Sequence, residues 1–139
     1  MKCNNFDAIS MSNVLNEYAN KKLPQRISFA ITKNIMKLSS DLECYSRELN
    51  KIIDSYKEHQ KKEDGKVVMS PIGVPAVEDE YSEEYMQKIA ELLNIEIGIT
   101  LYTIDEAEFD YDGGNYDPLS AMDIIKLEKI LCHKENKDA

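Results

Sequence analysis

The chain reads as an α+β protein, mainly helical, and three observations carry that reading. A heptad seam marks one long helix, with apolar or aromatic residues at Ile31, Ile35, Leu38, Leu42, Tyr45, Leu49, Ile52 and Tyr56 in alternating steps of four and three. Shorter amphipathic stretches near residues 10–20, 82–94 and 117–131 have the period of three shorter helices. Runs at 66–70 and 95–104 are rich enough in Val and Ile to supply a small sheet between them.

Taken in order, residues 1–9 are weakly patterned, with Phe6, Ala8 and Ile9 suited to a short strand or an extended lead-in. Ser10 or Ser12 can cap a helix reaching about Asn20, with Val14, Leu15 and Tyr18 on one face. Lys21-Lys22-Leu23-Pro24 breaks it. Pro24 suits the first position of the next helix, where its fixed φ fits and no hydrogen bond is lost. That helix should run over residues 24–61, roughly 55 Å at 1.5 Å per residue. Its first third is expected to be buried on more than one side, because Phe29 and Met36 stand off the seam. Beyond Leu42 only the seam is apolar, which is the pattern of a two-helix contact. A seam this long exceeds what the short helices can cover, so it predicts self-association. Asp64-Gly65 gives the turn that follows.

Pro71, Gly73 and Pro75 then keep the connection extended. Ser82 opens a helix whose inward face is Tyr85, Met86, Ile89, Leu92 and Leu93. Gly98 allows a bulge in the strand after it. Residues 105–117 form an acidic, Gly-containing loop, and Asp117-Pro118 starts the last helix, faced by Ala121, Ile124, Leu127 and Leu131. The expected division is a helical part over 1–65 and a small acidic α+β part over 66–139, in one continuous domain.

Charge is unevenly spread. The net value is −9, and residues 76–117 hold thirteen acidic side chains against one base, Lys88. Such a chain should not bind nucleic acid directly, because phosphate neutralisation needs Lys and Arg. No apolar run approaches the ~20 residues of a membrane span, and no basic-then-apolar leader opens the chain. A cytoplasmic protein is expected, and three scattered cysteines without a CxxC agree with it.

Chemistry-bearing constellations are few. Glu108, Asp110, Asp112 and Gly113 match positions one, three, five and six of a calcium loop, but position twelve is Leu119 where a bidentate Glu belongs. His59 and His133 lack zinc-spaced partners and read as helix-end residues. Five scattered glycines build no phosphate loop, and no nucleophile elbow is present. The chain is therefore expected not to be an enzyme and to need no cofactor or metal. Carboxylates interleaved with aromatics have two readings: an acidic face that keeps the protein soluble, or a mimic of a phosphate backbone that occupies a basic groove. On the second reading the partner-binding residues are Glu106, Glu108, Phe109, Asp110, Tyr111, Asp112 and Tyr116.

Several stretches resemble small families of unknown function encoded by bacteriophages of Gram-positive bacteria. They are Lys22-Leu23-Pro24 before Ser28-Phe29-Ala30-Ile31-Thr32-Lys33-Asn34, the Glu63-Asp64-Gly65-Lys66 turn, and Glu91-Leu92-Leu93 leading into Ile95-Glu96-Ile97. The resemblance spans most of residues 10–104 and implies a phage or prophage accessory protein, with no activity attached. The expectation is thus a non-enzymatic accessory protein that self-associates through the seam and binds a host protein. Inhibition of a defence or nuclease system, of anti-CRISPR or anti-restriction type, would follow. The alternatives are a structural protein of virion assembly, or a module for a nucleotide signal using Arg26, Arg47 and the lysines.

Overall fold

The computed structural model describes residues 2–132, and it is an α+β fold dominated by helix. Chain order is β1 (Lys2–Asn4), α1 (Asn5–Tyr18), α2 (Gln25–Ser55), β2 (Lys62–Glu63), β3 (Lys66–Val67), α3 (Asp79–Leu93), β4 (Glu96–Gly98) and α4 (Ala121–Leu131). Short 3-10 turns lie at Lys57–His59 and Glu106–Phe109. The chain divides into two compact units, one built from residues up to Leu42 and from Glu96 onward, the other from Glu43–Ile95. The boundary expected at residue 65 falls inside the second unit, and the first unit is assembled from both ends of the sequence.

In the first unit, β1 pairs antiparallel with β4, Lys2 opposite Gly98 and Asn4 opposite Glu96. Helix α1 starts at Asn5, well before the serines that the pattern favours. Its cap explains this. The Asn4 side chain accepts from the Asp7 N–H at 2.8 Å, and the Asp7 carboxylate accepts from the Asn4 N–H at 3.0 Å. Two of the orphan donors of the first turn are thereby satisfied. Burial of Leu15, Ile27, Ala30, Ile31, Leu38, Leu127 and Leu131 joins the two chain ends in one core, with Ile35, Leu42 and Ile124 packed against it. Phe29 and Met36, expected to be covered, are exposed at 52% and 67%. Both stand on the side of α2 that faces away from this core.

The second unit is contiguous in sequence. Asp64 and Gly65 both take positive φ, 52° and 77°, the pairing that a two-residue hairpin turn requires between β2 and β3. Beyond them the backbone closes a three-cornered cycle. Val68 N–H donates to the Lys61 carbonyl at 2.9 Å, Lys61 N–H to Ala76 at 2.9 Å, and Ala76 N–H to Val68 at 2.8 Å. The strand expected over 66–70 is therefore only Lys66–Val67, and its partner is β2; the strand expected over 95–104 is only Glu96–Gly98, and its partner is β1. The single sheet joining those two stretches does not form. Helix α3 starts three residues before Ser82, with Asp79 and Glu80 in the first turn where the helix dipole favours carboxylates.

The seam is consumed inside the chain. In the first unit Ile31 and Leu38 are buried, with Ile35 and Leu42 beside them. In the second, Leu49, Ile52 and buried Tyr56 pack with Val74, Val77, Tyr85 and Ile89. Tyr45 is half-buried, and that burial raises its phenol pKa. Tyr56 is fixed by its hydroxyl, which donates to Glu84 Oε2 at 2.9 Å, and by edge-on contact with the Tyr85 ring at 5.1 Å. No single cluster covers a helix this long; each half of α2 has its own.

Candidate protein-binding surface

The acidic loop over residues 105–117 is held at both ends and in its middle, all within the first unit. At entry, Ile104 N–H donates to the Leu131 carbonyl at 2.9 Å. Asp105 then caps the 3-10 turn, its carboxylate accepting from Ala107 N–H at 2.9 Å. At exit the pairing is reciprocal: Lys22 N–H donates to Asp117 Oδ2 at 2.6 Å, and Asp117 N–H donates to the Lys22 carbonyl at 2.7 Å. In the middle, Phe109 is buried in the core and Tyr111 packs against it. The Tyr111 hydroxyl donates to the Asp117 carbonyl at 3.3 Å. Burial raises the Tyr111 pKa, and the Asp117 charge raises it further.

These contacts divide the seven residues proposed from sequence. Phe109 and Tyr111 are anchors, so they are not offered to a partner; the aromatic interleaving is partly a packing pattern. Glu108 is half-buried and lies 3.5 Å from Arg26, a pair worth little at the surface. Glu106, Asp110, Asp112 and Tyr116 are exposed. Tyr116 rests edge-on against the Tyr111 ring at 5.6 Å and 87°, so an anchored ring orients an exposed one. Asp112 accepts from Gly114 N–H at 3.3 Å, which orders the turn at the tip. The result is a fixed loop that presents carboxylates and one aromatic ring to solvent.

Among the described residues no group of three His, Cys, Asp or Glu side chains is placed to hold a metal ion. His59 stacks on Tyr81 at 4.0 Å between ring centres, and its Nδ1 lies 3.6 Å from Glu78 Oε1. His133 lies outside the described residues. Cys3 is buried and donates weakly to the Ile97 carbonyl at 3.9 Å, Cys44 is exposed and Cys132 half-buried. Among the described residues no helix is long and apolar enough to cross a membrane. The second unit carries two open grooves of its own. One, about 540 Å³, runs between Lys51 and Ile52 of α2 and Lys88 and Glu91 of α3; the other, about 340 Å³, is lined by Met69, Pro71, Tyr85 and Met86.

A surface that the sequence reading missed lies on the outer side of α2. Arg26, Phe29, Lys33, Met36 and Lys37 fall within one ~100° arc of that helix. Beside them, Tyr102 meets the Phe29 ring edge-on at 5.3 Å and is itself 40% exposed. The signal is in the sequence, since these positions repeat at helical spacing off the seam, but the apolar side chains of Phe29 and Met36 lie at the surface instead of in the core.

No family model matches this chain, and neither curated proteins nor solved structures give a significant match.

Proposed function

We propose that this is a non-enzymatic interaction protein of a phage or prophage, acting in the host cytoplasm without a cofactor. Its acidic loop meets a basic surface of a host protein and presents carboxylates where that protein takes phosphates, so inhibiting a defence or nuclease system. The observation that carries the reading is the anchoring of residues 105–117 at Ile104, Phe109 and Asp117, which leaves Asp110, Asp112 and Tyr116 outward on a fixed frame. A loop kept only for solubility has no need of such a frame. Preorganised charge loses less ordering entropy on binding than charge on a floppy segment.

The test is affinity capture of the tagged chain from a bacterial lysate, beside an Asp110→Lys, Asp112→Lys double variant. Wild type should retain one stoichiometric basic-faced protein that high salt releases, and the variant should retain none while keeping its helical spectrum. Equal retention by both would remove the loop from the argument.

A role in assembly is the second reading. Exposed apolar side chains in each unit favour it: Phe29 and Met36 in the first, Met69, Ile72 and Met86 in the second. That role predicts defined homo-oligomers and no host protein in the capture. The nucleotide-module reading has less support, since Arg26 is paired with Glu108 and Arg47 with Glu43 at 2.9 Å.

A further inference from the structure

On the outer face of α2 apolar exposure and positive charge coincide. Phe29, Met36 and Tyr102 stand 52%, 67% and 40% exposed, and Arg26, Lys33 and Lys37 are set among them. Large apolar side chains with Arg are the composition of a protein interface, and such a patch on a folded chain calls for a cover. Its charge says what the cover carries. Among the described residues neither Lys33 nor Lys37 has a carboxylate partner, whereas Arg26 at the edge of the face already takes one from Glu108. A nucleic acid is disfavoured, because two lysines and an already paired arginine neutralise few phosphates. An acidic polypeptide with an exposed ring is what fits.

We propose that this face docks the loop over residues 105–117 of a second copy of the chain. Asp110 and Asp112 of one copy meet Lys33 and Lys37 of the next, and Tyr116 lies against Phe29, Met36 and Tyr102. This rests on the reading of the loop as a binding element and sets a second copy beside the host protein as its occupant. The two surfaces differ, so the contact is head-to-tail. Each copy keeps one donor loop and one acceptor face, and the product is a ring where the rotation closes or an open chain where it does not. Beyond a Debye length of about 8 Å at physiological salt, the like net charge of two copies is screened, and the local opposite charges decide.

The test is sedimentation velocity over a hundredfold range of protein concentration at 50 and 500 mM salt. Two double variants are compared with wild type: Lys33→Glu with Lys37→Glu, and Asp110→Lys with Asp112→Lys. Wild type should grow beyond a dimer at low salt and return to monomer at high salt. Each variant alone should associate at least about tenfold more weakly. Mixing the two should restore association, because the first variant's loop fits the second's α2 face, and the reversed charges of the second variant's loop and the first variant's face are again opposite. Monomeric wild type at every concentration, or a variant that assembles like wild type, would overturn the proposal. Host capture separates this from the loop reading itself. If Asp110→Lys, Asp112→Lys loses a host protein while Lys33→Glu, Lys37→Glu assembles like wild type, the loop binds but not to a second copy.

Discussion

Asn34 holds the backbone of Tyr102 at both polar groups: its Nδ2 donates to the Tyr102 carbonyl at 2.9 Å, and the Tyr102 N–H donates to its Oδ1 at 2.7 Å. One fully buried side chain in α2 thus does what a neighbouring strand would do for a residue in a sheet. The segment after β4 has no strand partner there, so this pair fixes where Tyr102 stands beside Phe29.

Replacing Asn34 by Ala should therefore destabilise the protein by about 2 kcal/mol, since two hydrogen bonds go and the Tyr102 groups lose their partner. Urea denaturation measures it. A cost below about 0.5 kcal/mol would mean that water replaces the side chain without loss.

The contact of Tyr18 with Asp123 should make stability depend on pH at both ends of the scale. The Tyr18 hydroxyl donates to Asp123 Oδ1 at 2.5 Å. That hydrogen bond is the main cause of both shifts: the Tyr18 pKa goes up to about 12, and the Asp123 pKa falls below its ordinary value. For Asp123 the stabilisation is present above the unfolded carboxylate pKa and is lost as pH falls through the lowered folded value, below about pH 4. For Tyr18 it is present below the unfolded phenol value and is lost as pH rises from about 10 through about 12. Tyr18→Phe should flatten both limbs of a melting-temperature profile against pH. An unchanged profile would place the titration elsewhere.

Loop anchors and loop surface should separate cleanly in mutagenesis. Phe109→Ala removes a buried ring and should cost about 3 kcal/mol, whereas Tyr116→Ala should cost less than about 1 kcal/mol. Chemical denaturation of the two variants tests the distinction. Equal costs would return Tyr116 to the core.

In the hairpin turn, Gly65→Ala should cost about 1 kcal/mol, because φ of 77° is strained for any residue with a Cβ. Nothing lies within 4 Å of a Cβ placed there, so the cost is conformational rather than steric. A thermal melt reads it.

Local chemistry was the legible part of this fold. Asp64-Gly65 announces its turn, Pro24 stands one residue before α2, and the seam traces the buried side of that helix. The start of α1 was legible too and was overlooked, since Asn4 and Asp7 have the spacing of a capping box, as do Ser120 and Asp123 before α4. Strand pairing was not legible. Cys3 lies opposite Ile97, and nothing in three residues of β1 marks a partner so distant. The loop was visible through its charge, but Phe109 and Tyr116 look alike in sequence. Only the position of the core makes one an anchor and the other a surface.

The split of the first unit between the two ends of the chain bears on how the protein is made. A ribosome adds about 5–20 residues per second and releases the N-terminal segment first. When Leu42 has emerged, Leu15, Ile27, Ile31 and Leu38 are already synthesised, but Ile99, Phe109, Leu127 and Leu131, which bury against them, are not. The contiguous segment Glu43–Ile95 carries all of its own apolar cluster and can fold in the meantime. A nascent chain that has emerged only as far as Ile95 would hold the contiguous unit complete and one open apolar face, which makes the interval until Leu131 emerges the time when this protein most needs a chaperone.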